Sequence, residues 1–140
     1  MSVYLDASVL VALFTEDAFT YRADAFCRTN APILVVSDFA AAEFAAVVAR
    51  HVRTRDIIAE DARAVFSTFD VWAARATQRI EIQPEDVALA AAFLRRLDLT
   101  LRTPDSINIA IAQRIDATLA TFDEKMAVSA ALLDLPVARM

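Results

Sequence analysis

The chain has 140 residues, which fits one domain over residues 1–140, and 58% of them are hydrophobic. Its net charge of −5 excludes a protein whose whole surface attracts nucleic acid, so any contact with a polyanion must be local or bridged by cations. The sequence has no glycine, one cysteine and one histidine. This excludes dinucleotide-binding turns, P-loops and nucleophile elbows, and it argues against zinc sites and cysteine–histidine catalysis.

The start of the chain carries no basic targeting segment, and no apolar run approaches the ~20 residues of a membrane span. The single cysteine, Cys27, fits a reducing compartment. We therefore expect a soluble, cytoplasmic protein with no membrane partner. The hydrophobic fraction exceeds the roughly 45–50% of ordinary globular chains. This indicates either apolar surface reserved for another chain or an alanine-rich helical protein.

Short apolar runs rich in β-branched residues predict four strands and a fifth at the edge, at about 3–5, 33–36, 79–82, 118–121 and 136–138. Apolar periodicity predicts helices between them, at about 7–15, 18–29, 38–52, 59–77, 84–97 and 103–115, with a short one after Asp123. Strands that alternate with helices pair in parallel through right-handed crossovers. The predicted fold class is therefore α/β, with a central parallel sheet of four to five strands and helices on both faces.

Two helix starts are marked by local signals. Ser37 is a typical N-cap for the helix that follows the second strand. The run Thr103-Pro104-Asp105 is typical of the N-cap, N1 and N2 positions of a helix.

One glutamate stands alone in an apolar helix. Glu43 is the single polar residue between positions 39 and 49. Burying a carboxylate without a partner costs several kcal/mol, and no lysine or arginine lies in the turn before or after it. Its partner must come from elsewhere, and we interpret that partner as a metal ion held together with other carboxylates.

Three more acids are expected at the edge of the sheet where the strands end. Asp6 ends the first strand, Asp123 follows the fourth, and Asp105 lies in the first turn of a helix that begins near this edge. Ligands of parallel sheets bind outside the carboxyl ends of the strands. Taken singly, Asp6 and Asp123 are explained as helix caps and Asp105 by the helix dipole. Together with Glu43 they favour a functional cluster.

Such a cluster predicts a particular chemistry. Carboxylates within a few ångströms raise one another's pKa, and a divalent cation relieves this repulsion. Oxygen ligands with open water positions suit Mg²⁺ or Mn²⁺. A site of this kind activates water and stabilises charge on a phosphodiester, so the predicted reaction is hydrolysis of a phosphate ester.

Arginines near these acids are candidates for holding a polyanion. Arg50 follows Glu43 on its predicted helix, Arg53 lies just after the end of that helix, and Arg102 precedes Asp105. The alternative is that they are ordinary solvated arginines. Ser8 and Asn108 are candidates for supporting the neighbouring acids, with helix initiation as the alternative for Ser8. Five other aspartates are interpreted as surface or turn residues: Asp17, Asp24, Asp61, Asp86 and Asp116.

Four segments together resemble the PIN-domain ribonucleases, most closely the VapC-type toxins of toxin–antitoxin pairs. They are Tyr4-Leu5-Asp6-Ala7-Ser8, Val36-Ser37-Asp38 leading to Glu43, Thr103-Pro104-Asp105-Ser106-Ile107, and Leu119-Ala120-Thr121-Phe122-Asp123. The resemblance extends over nearly the whole chain, in order. It implies a three-layer PIN-like sandwich and a Mg²⁺- or Mn²⁺-dependent endoribonuclease that acts on RNA.

The resemblance also assigns roles to individual residues. Asp6 and Asp105 would bind the metal directly, whereas Glu43 and Asp123 would bind it directly or through water, or deprotonate the attacking water. Thr121 matches a hydroxyl residue that commonly precedes the fourth acid. Family members of this size usually form homodimers, and a small antitoxin blocks their site.

Two other classes of function remain open. One is a phosphatase in which Asp6 is the nucleophile, although the second acid expected two residues later is replaced by Ser8. The other is a non-catalytic PIN-like module that acts only by binding a partner. DNA in place of RNA as the substrate is a further variant of the enzyme.

Overall fold

The computed structural model describes residues 1–29 and 31–140. Four strands form one parallel sheet in the order β3-β2-β1-β4. The strands are β1 Ser2–Leu5, β2 Ile33–Ser37, β3 Thr77–Ile80 and β4 Thr118–Ala120. The helices are α1 Ala7–Phe14, α2 Thr20–Arg28, α3 Asp38–Arg53, α4 Ala59–Ala76, α5 Pro84–Leu94, α6 Thr103–Arg114 and α7 Glu124–Leu132.

The central strands are covered on both faces. Successive side chains of a strand point to opposite faces, yet Val3, Tyr4 and Leu5 of β1 are all fully buried. Most of β2 and β4 is buried in the same way. This pattern belongs to a parallel sheet between two helical layers, and it confirms the predicted α/β class. No helix among residues 1–29 and 31–140 is long and apolar enough to cross a membrane.

Several predicted boundaries are wrong. Strand β3 begins and ends two residues earlier than predicted, because Thr77–Ile80 pairs with Leu34–Ser37 of β2. The fifth strand is reduced to a single parallel bridge between Leu119 and Val137. Helix α6 has Thr103 as its first helical residue and Arg102 as its N-cap, so Asp105 lies at N3 and accepts a hydrogen bond from the Arg102 N–H at 3.0 Å.

Asp86 is not a surface residue. It lies in the first turn of α5, with 1% of its area exposed, and both its carboxylate oxygens accept hydrogen bonds from Arg114 of α6, at 2.7 and 3.0 Å. Its Oδ2 also accepts from the Gln83 N–H at 2.8 Å. Asp86 is buried because this ion pair joins the packed helices α5 and α6, a contact that sequence periodicity alone does not reveal.

The chain connections bring the predicted acids to one edge of the sheet. Asp6 follows β1 directly and caps α1. Ser37 ends β2 and, as predicted, caps α3 by accepting from the Ala40 N–H at 2.9 Å. Asp123 follows β4 and caps α7. Because the strands are parallel, these three helix starts lie at the same edge.

Candidate active site

Asp6 is the most buried of the four acids, with 5% of its area exposed. Its Oδ1 accepts hydrogen bonds from Ser8 Oγ at 2.6 Å and from the Val9 N–H at 3.2 Å, and its Oδ2 accepts from Thr121 Oγ1 at 2.5 Å. Burial raises the pKa of this carboxyl to about 6, and the hydrogen bonds oppose the rise only in part.

Two hydroxyls join the segment after β4 to the segment after β1. Ser8 Oγ donates to Asp6 and accepts from the Phe122 N–H at 2.9 Å. Thr121 Oγ1 donates to Asp6 and accepts from the Asp123 N–H at 3.0 Å. The positions of Asp6 and Asp123 are therefore fixed relative to one another, as expected if Ser8 and Thr121 support the acids.

Glu43 has an amide as its partner. Its Oε1 accepts a hydrogen bond from Asn108 Nδ2 at 2.6 Å, and the same Nδ2 donates to the Pro104 carbonyl at 3.0 Å. Two acceptors around this nitrogen establish which end of the amide faces Glu43. The buried side chain of Asn108 thus supplies the partner that the apolar neighbours of Glu43 require.

A chain of hydrogen bonds extends from this amide into the core. Tyr4 Oη donates to Asn108 Oδ1 at 2.5 Å and lies 2.6 Å from Ser37 Oγ. Since the tyrosine has a single hydroxyl hydrogen, the serine hydroxyl donates to it. The chain runs from Ser37 through Tyr4 and Asn108 to Glu43. Its direction aims donors at the carboxylate and therefore favours an ionised Glu43.

The pKa of Glu43 also depends on neighbouring charges. Burial is the main cause that raises the pKa of Glu43, the Asn108 hydrogen bond lowers it, and the charges of Asp6 and Asp105 raise it further. The charge of Arg102 acts in the opposite direction. Glu43 therefore lies within electrostatic reach of two of the other acids.

Asp105 and Asp123 line one cleft of about 520 Å³, which Arg102 and Lys125 also border. The guanidinium of Arg102 lies 3.7 Å from Asp105 Oδ2, and the arginine side chain is 82% exposed. Of the arginines proposed for polyanion binding, this one is therefore at the acidic edge. Arg50 and Arg53 are exposed at the far end of α3, and Arg50 is about 10 Å along the helix from Glu43.

Three of the four carboxylates share one property. Among the described residues, Glu43, Asp105 and Asp123 are each held through one oxygen, and their second oxygen has no hydrogen-bond donor. In Asp6 both oxygens accept hydrogen bonds. Every buried side-chain nitrogen or oxygen in this part of the chain has a partner. The uncommitted oxygens therefore face solvent, where a ligand can reach them.

These donors fit a hard divalent cation by their chemistry, since all are carboxylate oxygens. The positions of these carboxylates in the structure do not form a complete metal site. In the described part of the chain, no three Asp, Glu, His or Cys side chains converge closely enough to hold a metal ion. Repulsion between carboxylates opposes such convergence, and a cation held here would offset that repulsion.

Sequence reasoning missed two residues of this site, Tyr4 and Ser37. A signal for Tyr4 was present, because a tyrosine inside a short buried strand needs a partner for its hydroxyl. Ser37 was identified only as a helix cap. Its hydroxyl does cap α3, but it also starts the hydrogen-bond chain to Glu43.

Replacing Tyr4 with Phe is expected to lower the free energy of unfolding by about 2–3 kcal/mol. The change leaves the hydroxyl hydrogen of Ser37 without an acceptor and Asn108 Oδ1 without a donor in a buried environment. Urea denaturation measures the loss. The matched control is Tyr21→Phe, whose ring is 85% exposed and which is expected to shift stability by less than about 0.5 kcal/mol. Equal stability of Tyr4→Phe and wild type would contradict the hydrogen-bond chain.

Comparison with known families agrees with this architecture. The model of the PIN domain matches residues 3–132. This chain belongs to the PIN-domain family. No curated protein matches it by sequence.

Several solved structures share the fold at low sequence identity. VapC20 of Mycobacterium tuberculosis, a toxin that cleaves the sarcin–ricin loop, has a TM-score of 0.74 at 15% identity, with 91% of this chain and 94% of that chain covered. FitAcB of Neisseria gonorrhoeae has a TM-score of 0.75 at 16% identity, covering 98% and 96%. VapBC2 of Rickettsia felis, bound to a DNA fragment of its promoter, has a TM-score of 0.72 at 15% identity, covering 99% and 98%.

Proposed function

We propose that this PIN domain is a single-domain, Mg²⁺- or Mn²⁺-dependent endoribonuclease and the toxin of a toxin–antitoxin pair. The observation that carries the proposal is the set of four carboxylates at one sheet edge. Asp6 is held through both of its oxygens, and each of the other three keeps one oxygen without a hydrogen-bond donor. Asp6 and Asp105 would bind the cation directly. Glu43 and Asp123 would bind it directly or through water.

The cation, when bound, would polarise the phosphodiester and lower the pKa of a coordinated water. The protein side chains would supply the remaining functions of the site. Asp6 is the fixed member of the set, because three donors hold it. Glu43 is held by Asn108, and burial raises its pKa above the ordinary value of a glutamate, which suits a group that accepts a proton from the attacking water. Arg102 and Lys125 border the cleft and would attract the phosphate.

The partners are proposed by analogy with proteins of the same fold. One solved structure of this fold, from Klebsiella pneumoniae, is a toxin–antitoxin complex by name. We infer a cognate antitoxin, an RNA substrate, a homodimer and a cytoplasmic location for this chain. Arg50 and Arg53 remain predicted RNA contacts beside Arg102.

A cleavage assay tests the activity. End-labelled single-stranded RNA and DNA of one sequence are incubated with the protein in Mg²⁺, in Mn²⁺ and in EDTA. Cleavage of RNA that requires the cation supports the ribonuclease. Preferred cleavage of DNA would change the substrate, and no cleavage under any condition would favour the partner-binding module.

Glu43→Gln is expected to reduce cleavage about 100-fold or more, because glutamine cannot accept the proton of the attacking water. The matched control is Glu60→Gln, at an exposed position in the first turn of α4, and it is expected to cleave as wild type. Both variants are compared under single-turnover conditions at saturating Mg²⁺. Equal rates for Glu43→Gln and Glu60→Gln would remove Glu43 from the mechanism.

A further inference from the structure

An aromatic pair lies immediately beside the acidic edge. The rings of Phe19 and Phe122 are stacked, with centroids 4.5 Å apart and planes inclined by 9°. Phe19 is the outer ring and is 37% exposed. The stack therefore leaves part of the Phe19 ring open to solvent beside the site.

A guanidinium accompanies this stack. The Arg22 Cζ atom lies 5.4 Å from the centroid of each ring. Equal distances place the guanidinium beside the two rings and not against the outer face of Phe19. That face therefore stays free of Arg22, and a positive charge lies at the edge of the stack. Arg22 Nη2 is held by the Met140 carbonyl at 2.7 Å.

The aromatic pair is rigidly connected to the acids. The Phe122 N–H donates to Ser8 Oγ, which itself donates to Asp6. Phe122 also directly precedes Asp123. Phe19 is fixed on its own side, because its N–H donates to Asp17 Oδ1 at 2.8 Å. Stacking geometry and acid geometry are thus set by the same short segments.

The pair forms the ridge between two clefts. One cleft, of about 350 Å³, is lined by Ser8, Val47 and Asp17. The other, of about 300 Å³, is lined by Arg22, Arg139 and Thr121. Phe19, Phe122 and Asp123 line both. Asp123 also lines the cleft that contains Asp105. A continuous path therefore leads from the acids to the aromatic ridge and the two arginines.

We propose that Phe19 and Phe122 form a stacking platform for an unpaired nucleobase of the RNA substrate, with Arg22 and Arg139 facing an adjacent phosphate. Aromatic faces combined with arginines beside them are the means by which proteins hold single-stranded nucleic acid. The inference deepens the proposed function and rests on it for the identity of the substrate. The platform also explains how a chain of net charge −5 holds a polyanion: stacking supplements a small local positive charge.

Binding without cleavage tests the platform. Fluorescein-labelled single-stranded RNA of about twelve nucleotides and an abasic strand of the same length are titrated in EDTA and followed by anisotropy. Phe19→Leu removes the aromatic face at similar volume. It is expected to weaken binding of the RNA about 5- to 100-fold and to leave binding of the abasic strand unchanged.

Two further variants keep the result interpretable. Tyr21→Leu removes an aromatic ring that is 85% exposed and lines neither cleft of the ridge, and it is expected to bind both strands as wild type. Phe19→Trp keeps a stacking face and is expected to bind the RNA at least as tightly as wild type. Thermal denaturation confirms that each variant is folded.

The outcomes separate this inference from the proposed activity. Three results would each overturn the platform: RNA binding unaffected by Phe19→Leu, equal weakening of RNA and abasic strand, or no binding of RNA by wild type. The first of these would indicate that the ridge contacts a protein partner instead. Cleavage that needs Mg²⁺ and Glu43 would still support the nuclease in those cases. Base-dependent binding through Phe19 without any cleavage would support the platform and count against the nuclease.

Discussion

Asp6→Asn is expected to abolish cation-dependent cleavage of RNA, by at least about 1000-fold, and at the same time to stabilise the protein in EDTA. The activity is lost because Asn offers the cation one neutral oxygen in place of a fixed carboxylate. The hydrogen bonds are retained, since Asn Oδ1 can accept from Ser8 and Val9 while its Nδ2 donates to the Thr121 hydroxyl.

The gain in stability is expected to depend on pH. The pKa of Asp6 rises from 3.8 to about 6 on folding, so ionisation of Asp6 costs the folded state free energy. Below pH ~4 the residue is protonated in both states and the cost is absent. It grows as the pH rises from about 4 to about 6, where only the unfolded state is ionised, and levels off at about 3 kcal/mol above that. Asp6→Asn should gain stability over wild type across that interval.

Urea denaturation of wild type and Asp6→Asn in EDTA between pH 4 and 7.5 measures this difference. Asp70→Asn is the matched control, because Asp70 is exposed on α4, and its stability difference from wild type should not change with pH. A constant difference for Asp6→Asn as well would show that burial does not perturb Asp6. Full cleavage by the folded variant would remove Asp6 from the site.

Arg114→Met is expected to lower the free energy of unfolding by about 3–5 kcal/mol. It leaves the Asp86 carboxylate, 1% exposed, with the Gln83 N–H as its donor among the described residues. An unpaired buried charge is among the most costly defects in a fold of this size, whose total stability is about 5–15 kcal/mol. The midpoint of urea denaturation at pH 7 measures the loss.

Two control variants test whether the loss comes from the Asp86–Arg114 ion pair. Arg63→Met changes an exposed arginine on α4 and is expected to have an effect below about 0.5 kcal/mol. The double variant Asp86→Asn/Arg114→Met removes the buried charge and is expected to recover part of the loss. A loss for Arg114→Met no larger than for Arg63→Met would mean that the ion pair contributes nothing to the fold.

The sheet and the edge that carries the acids were predictable because their signals are local. Short β-branched runs become strands wherever both faces are covered, and parallel pairing then places Asp6, Ser37 and Asp123 at one edge. The resemblance of four segments to PIN-domain proteins led to the family that the comparison establishes.

The contacts between distant segments were not predictable in the same way. The isolation of Glu43 indicated a partner but not its identity, because Asn108 lies 65 positions further along the chain. The Asp86–Arg114 pair was missed for a similar reason. In the sequence, Asp86 is explained by its position in the first turn of a helix, where the helix dipole favours an acid. Only the packing of α6 against α5 shows that it has a buried partner.

Helix ends were misplaced because the sequence has no glycine. A left-handed residue after a helix is usually glycine and marks the end. Here non-glycine residues adopt a positive φ after helices: Arg55 (65°), Leu97 (68°), Asp116 (54°) and Asp134 (60°). Leu97 carries no such signal, so α5 was predicted to reach it although the helix ends at Leu94.

The measurement that tests the central claim most directly is calorimetric titration of Mn²⁺ into wild type and into Asp6→Asn at pH 7.5. The account predicts saturable binding by wild type and a loss of at least about tenfold in affinity for the variant, because the variant lacks the fixed carboxylate of the site. No binding by wild type, or equal binding by both proteins, would contradict a cation site built on these four acids.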